Sequence, residues 1–240
     1  MKTILGVLIF ILFLNSCRKS TIEVTTPVAS SDSVWYPLYI SNWWVYKVDS
    51  SRYKKSSNDS IVTTVLTSSY LKEEIEQTVD EFSEGISYKL ALYHKTDINV
   101  PWVFDRYSSI RIQKDRIIKK EGSDNYMKLF FPIKNNTSWL GNQYIHIEDA
   151  NQYLENWNYT YTDLNLPKTY NSLLFDTTVT VLQVVDSNAI EKKYSVEQYA
   201  KKVGLIYSEF ILVEKQDATK TWATPENGFK VTKTIIDYKR

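Results

Sequence analysis

One cysteine, two histidines, six glycines and six prolines are all that 240 residues contain of these types. A lone thiol excludes an internal disulfide and any thiolate metal cluster. His94 and His146 stand far apart, with no H-x-x-H or H-E-x-x-H spacing to hold zinc, and no D-x-[DN]-x-[DN]-G calcium loop occurs. The glycines form neither G-x-G-x-x-G nor G-x-x-x-x-G-K, so no phosphate cradle is expected. There is no G-x-S-x-G elbow and no S-x-x-K set in penicillin-binding context; a Ser/His/Asp triad is geometric and stays open. An excess of either charge is lacking too, with 29 basic against 28 acidic residues. That gives no basic face for nucleic acid. No metal and no cofactor are expected.

An apolar run of membrane-spanning length is likewise missing. The run that follows Lys2, Ile4 to Leu14, has eleven residues, against the roughly 20 that a spanning helix needs. Lys2 and this run fit the charged and apolar regions of a secretory signal peptide. The stretch Leu14-Asn15-Ser16-Cys17 resembles a bacterial lipobox, in which the chain is cut before a cysteine that then carries acyl chains of the palmitoyl type. Asn15 stands where a smaller residue is commoner. The expectation is a signal peptide over 1–16, a lipidated Cys17 and a membrane anchor. At about 0.8 kcal/mol per buried CH₂, several acyl chains would make that anchor effectively permanent. Without Lys2 the mature chain balances at 28 basic and 28 acidic residues, so the lipid rather than a polybasic grip would hold it.

What is abundant is aromatic: eighteen tyrosines, seven tryptophans and nine phenylalanines. With the many Val, Ile and Thr residues these favour a pleated, half-buried surface. Few glycines imply turns built from Asn, Asp and Ser. The expected fold is mainly β: an antiparallel curved sheet, barrel or sandwich over residues 35–240, after a flexible Ser/Thr-rich tether over 17–34.

Trp44, Tyr46 and Val48 alternate with Val45, Lys47 and Asp49 as a strand, and the polar residues 49–60 read as a loop. Ile61 to Leu66 is strand-like. Tyr70 to Phe82 is ambiguous: Leu71, Ile75, Val79 and Phe82 have helical spacing, but Gly85 and the alternation Ile86, Tyr88, Leu90, Leu92 read as a hairpin, and strand–turn–strand is the preferred reading with a helix the alternative. Residues 97–101 form a loop, with strands over 102–111, 116–118, 126–132 and 141–147. Residues 149–170 read as a long irregular connection, and four strands, 177–185, 193–199, 205–213 and 229–238, close the chain. Lys202-Val203-Gly204 turns the middle pair. Tyr36-Pro37-Leu38 before Trp44 is echoed by Phe131-Pro132-Ile133 before Trp139, a hint of two similar sheet halves.

These two segments, with Trp44-x-Tyr46, Trp139-x-Gly141-Asn142 and Tyr199-Ala200-x-x-Val203-Gly204-Leu205, occur in an order similar to that of a group of uncharacterised Bacteroidota-type outer-membrane lipoproteins. Ser41 stands where the group commonly has glycine. The resemblance implies the β fold and an outer-membrane location, and no activity. The mature start Cys17-Arg18-Lys19-Ser20 lacks the acidic run that often marks surface export in such bacteria, which favours the periplasmic face.

Candidate site residues follow from context. Trp102, Tyr153, Trp157, Tyr159 and Tyr161 lie in irregular stretches, where aromatic faces can stack on sugar or cover a lipid tail. Asp-Ser/Thr triplets make Ser33, Ser60 and Thr177 candidates for O-glycosylation. The acids Glu73, Glu74, Glu76, Asp80 and Glu81 read as a solvated strand face that could also supply paired carboxylates. Two functions compete: a non-enzymatic binding or assembly protein that takes lipid, glycan or protein on an aromatic β surface, and an envelope glycan hydrolase using paired acids.

Overall fold

The computed structural model describes residues 34–57, 61–81 and 85–239. The expected signal peptide, Cys17, Ser33, Ser60 and the tether through residue 33 lie outside the described residues. Twelve strands make one antiparallel sheet: β1 (Trp43–Lys55), β2 (Val62–Glu81), β3 (Gly85–Lys95), β4 (Val103–Gln113), β5 (Arg116–Glu121), β6 (Asp124–Phe130), β7 (Ser138–Leu140), β8 (Asn158–Tyr170), β9 (Leu173–Ser187), β10 (Glu191–Ala200), β11 (Gly204–Glu214) and β12 (Asn227–Lys239). The order is β6-β5-β4-β3-β2-β1-β12-β11-β10-β9-β8-β7. Each strand thus pairs with its neighbours in sequence, except β6 and β7, which are the two edges, and β12 returns to β1.

The two edges, β6 and β7, are consecutive in sequence and meet. Met127 N–H donates to Gly141 O at 2.8 Å, and the Trp139 indole N–H donates to Met127 O at 2.9 Å. Tyr161 Oη accepts from Phe130 N–H at 2.9 Å. The sheet is therefore nearly closed like a barrel, which leaves few unpaired edge groups to recruit other strands.

Inward positions carry the bulk that the composition promised. Trp44, Tyr46, Tyr159, Tyr161 and Tyr199 are fully buried with Ile75, Leu90, Ile110, Ile117 and Leu129, each contributing about 1.5–3 kcal/mol by burial. Trp44 and Trp139 are both buried at the starts of their strands. The Trp44 indole donates to Val203 O at 2.6 Å, and the Tyr46 hydroxyl to Leu205 O at 3.1 Å. Among the described residues, the non-glycine positions at positive φ are mostly Asn, Asp and Ser, as expected of turns: Ser41, Asn136, Asn156, Asn171 and Ser172, with Lys202 in the β10–β11 turn and Asp163 and Asn165 where the β8 pairing is irregular.

Three expectations are corrected and one is upheld. Residues 49–55 continue β1 instead of looping, because β2 and β12 hydrogen-bond its two sides and its polar side chains need only one wet face. Residues 62–81 form one strand, so the strand reading of 70–81 holds over its helical spacing, since β1 and β3 occupy both edges. Residues 141–147 are not a strand: β7 stops at Leu140, and the Gly141 N–H and C=O go to Trp157 O and Met127 N–H. Residues 149–170 are not irregular. Asp149–Leu154 forms a 3-10 turn, and β8 then pairs with β9.

Because the sheet is an antiparallel meander, the β1–β2, β3–β4, β5–β6, β7–β8, β9–β10 and β11–β12 connections share one end. The N-terminal segment packs at the other. There Val34 O accepts Lys202 N–H at 2.6 Å, and Tyr36 packs on Trp44 and Tyr199 with centroids 5.7 and 5.9 Å apart. Buried Trp35, Tyr36 and Leu38 plug that end. Val34, the first described residue, therefore lies at the end opposite the β7–β8 connection.

Two loops at the far end are built alike. Lys95-Thr-Asp97-Ile-Asn-Val-Pro-Trp102 and Lys215-Gln-Asp217-Ala-Thr-Lys-Thr-Trp222 share a Lys-x-Asp-x-x-x-x-Trp pattern. In each, the buried lysine donates to the carbonyl three residues on, at 2.6 Å (Ile98) and 3.2 Å (Ala218). The aspartate accepts the N–H two residues on at 2.9 Å. The tryptophan face lies 4.6 and 4.7 Å from the ammonium. A lysine buried this way is satisfied by carbonyl dipoles and a ring quadrupole.

Candidate functional site

The long β7–β8 connection is a cap over the far end of the barrel. Asn142 ties it down: its amide donates to Leu154 O at 2.7 Å, and its carbonyl accepts the Tyr159 hydroxyl at 2.8 Å. The neighbouring Gly141 has no room for a side chain, since a Cβ there would lie 2.4 Å from the Tyr159 ring. The Trp157 indole donates to Tyr153 O at 2.7 Å, and Tyr153 and Trp157 pack on Phe210 of β11 with centroids 6.2 and 5.7 Å apart. Each such aromatic pair adds about 0.5–1.5 kcal/mol beyond burial.

Beneath the cap is a cavity of about 240 Å³, lined by Leu154, Trp157, Tyr126, Tyr159 and Phe210 together with Glu121, Lys128, Gln183, Ser195, Glu197, Ser208, Glu209, Val231 and Lys233. Outside it is a cavity of about 500 Å³ with a polar wall that includes Gln152, Glu155, Asn156, Asn158, Asp186 and Lys193. Trp157 and Gln183 belong to both. A third space of about 200 Å³, against Leu140, Ile145 and Ile147, also ends on Trp157.

The barrel interior is charged, and the charges are matched. Lys119 Nζ sits 2.8 and 2.7 Å from the two carboxylate oxygens of Glu73, with Lys233 3.7 Å away. Lys128 Nζ lies 2.8 Å from Glu197 and 3.3 Å from Glu121, whose side chain is 40% exposed at the rim. The other Glu197 oxygen accepts the Tyr199 hydroxyl at 2.6 Å. One triplet holds two lysines about a glutamate, the other two glutamates about a lysine; together they are neutral. This corrects the reading of Glu73 as part of a solvated face: it is buried because β5 brings a lysine to it. Its neighbours Glu74 and Glu76 do face outward, paired with Lys72 and Lys89.

These partners set the ionisation. Desolvation would raise Glu73, but Lys119 and Lys233 outweigh it and hold the carboxyl below its ordinary range. Desolvation is likewise overcome at Glu121, which Lys128, Lys119 and Lys233 bring down to about 2. Burial would lower Lys119 and Lys128, yet the facing glutamates push both up. Burial raises Tyr126 to about 12 and raises Tyr159 and Tyr199 as well. The phenols at the site are therefore neutral donors.

Among the residues lining the cavities, one buried polar atom is left over. Gln183 is 4% exposed; its Oε1 accepts the Ser195 hydroxyl at 2.6 Å, and its Nε2 has no partner although it borders both cavities. Such a donor costs about 1–3 kcal/mol.

Of the sequence candidates, Tyr153, Trp157 and Tyr159 come together here. Tyr161 is fully buried beside Phe130 and Trp139, and Trp102 stacks over Lys95 in the β3–β4 loop. Thr177 is half-buried in β9, with its carbonyl bonded to Lys201 N–H. His94 and His146 are exposed. Among the described residues no cluster of three His, Cys, Asp or Glu could hold a metal. Sequence reading missed Phe210, Gln183, Ser195, Glu197 and Lys128. The available signal was polar residues at inward-facing positions of apolar strands, as in Val181-Leu-Gln183-Val and Met127-Lys128-Leu129.

No family model matches the chain, and no curated protein matches it in sequence. Among solved structures it is similar to a protein of Parabacteroides distasonis provisionally described as a lipoprotein. The TM-score is 0.42 at 12% identity, over 85% of this chain and 98% of that one.

Proposed function

We propose that the chain is a lipid-anchored cell-envelope protein that binds a ligand, without turning it over, in the capped cavity at the end of the barrel away from its anchor. The cavity bounded by Trp157 and Gln183 carries this reading. It combines aromatic faces, an unused buried donor and a position opposite the N-terminal segment. Binding pockets are concave, aromatic and equipped with a few oriented polar groups. Lipidation at Cys17 supplies the anchor, with the periplasmic face of the outer membrane the favoured location. A tethered binder gains from high local concentration beside membrane partners, which also suits an assembly role.

The hydrolase alternative has one observation in its favour. Glu121 and Glu197 share Lys128, so the two oxygens that face it lie no more than about 6 Å apart, close to the separations of glycosidase carboxylate pairs. Such chemistry needs one acid kept protonated near neutral pH. Glu121 is driven the opposite way, and Glu197 is locked between Lys128 and Tyr199. Binding is the better reading.

The test joins location and ligand. Metabolic labelling with an alkyne fatty acid should mark the wild type and not Cys17→Ala, which should leave the membrane fraction. Native mass spectrometry of protein purified from envelopes should show a retained small molecule that Trp157→Ala loses. A labelled Cys17→Ala variant overturns the anchor; identical spectra for wild type and Trp157→Ala overturn the site.

A further inference from the structure

We infer that the capped cavity is a subsite for one neutral sugar ring, and that the oligosaccharide bearing it continues into the outer cavity across Trp157 and Gln183. The inference rests on the binding reading above and names its ligand class. Four observations carry it.

The inner charges are paired with one another and the two triplets together are neutral, so each lysine and glutamate there already has an opposite charge beside it. Lys193, on the outer wall, is itself paired with Glu191 at 3.1 Å and Asp186 at 3.9 Å. An anionic ligand would find no free cation on either wall. Among the residues lining the two spaces, the buried polar atom without a partner is the neutral amide nitrogen of Gln183, a residue more than nine-tenths buried that lines both, and its N–H matches a hydroxyl or ring-oxygen acceptor.

A lipid tail would leave that donor unsatisfied, whereas a sugar hydroxyl would accept its hydrogen bond and still cover the apolar lining with its C–H face. A planar base would need two parallel walls. Trp157 and Phe210 instead stand at 82° to one another, an arrangement that offers a single face to the axial C–H side of a puckered ring. Size agrees. The inner cavity, about 240 Å³, is below the roughly 300–1,000 Å³ of drug-sized sites and so suits a single ring. The larger outer cavity is lined by amides and carboxylates fit for further hydroxyls.

The experiment uses the full chain in detergent on a glycan array with neutral and uronate-containing oligosaccharides, with radiolabelled palmitate and free nucleosides as separate arms. Neutral glycans should bind and quench tryptophan fluorescence. Trp157→Ala should weaken binding at least tenfold. The double variant Gln183→Leu/Ser195→Ala replaces both hydrogen-bonding partners with apolar groups, so its stability should hold or rise while affinity falls about threefold to tenfold. A purely structural role for Gln183 would instead lower stability and leave affinity unchanged, overturning the assignment. Binding only to uronates, palmitate or nucleosides would overturn the sugar inference and leave the binding reading standing. Silence in every arm, with no retained molecule by native mass spectrometry, would overturn both.

Discussion

Lys119 and Glu73, 46 residues apart in sequence, form a two-pronged ion pair inside the barrel, with side chains 4% and 2% exposed. Desolvating two such charges costs several kcal/mol, which their attraction repays only while both are present. Lys119→Met should therefore destabilise the protein by about 3–5 kcal/mol, and the double variant Glu73→Leu/Lys119→Met by much less. Urea unfolding followed by tryptophan fluorescence would measure this. Additive single-variant costs in the double variant would contradict the coupling.

Stability should depend on pH in a direction set by the same groups. Glu73 and Glu121 are depressed in the fold. Their contribution is complete above the unfolded carboxylate value of about 4.3 and is lost as pH falls through the folded values, that of Glu121 being about 2. Lys119 and Lys128 are raised, so their contribution is complete below about 10.4 and is lost as pH rises through the folded values. Melting temperature should be flat between these limits and fall between about pH 4.3 and 2. Glu121→Gln should shallow that acid limb; an unchanged limb would mean its lysine partners do not govern it.

The cap should loosen without the barrel unfolding when Asn142 is truncated. Asn142→Ala leaves Leu154 O and the Tyr159 hydroxyl without their partner, a loss of about 1–3 kcal/mol. Hydrogen exchange should quicken over residues 149–157 and little elsewhere. Unaltered exchange there would mean that Phe210 and its aromatic partners hold the cap alone.

The paired loops should respond alike. Lys95→Met and Lys215→Met each remove an ammonium that bonds loop carbonyls and faces a tryptophan. Each loop should become more sensitive to proteolysis. The loops are separated by four strand spacings, about 19 Å, so the stability losses should add within about 0.5 kcal/mol. Strong non-additivity in thermal unfolding would contradict two independent devices.

Local pattern determined a good deal. Alternation in Trp44-Val-Tyr46, Leu90-Ala-Leu92 and Val179-Thr-Val181 specifies strands, because side chains on a strand face opposite sides at every step. Scarce glycine with abundant Asn, Asp and Ser specifies the turns. Even β8 was legible in Asn158-Tyr-Thr-Tyr-Thr, and the twin loops in their repeated Lys-x-Asp-x-x-x-x-Trp spacing. What the tertiary structure alone decided is where the charges go. Glu73 sits among Lys72, Glu74 and Glu76 and looks no different from them. It is buried because β2 turns it inward and closure of the sheet brings Lys119 to it. Lys128 and Glu197 meet across 69 residues for the same reason. The site beneath Trp157 likewise exists only once β6 and β7 join. A strand dictates which side chains share a face; the curvature of the whole sheet dictates which faces meet.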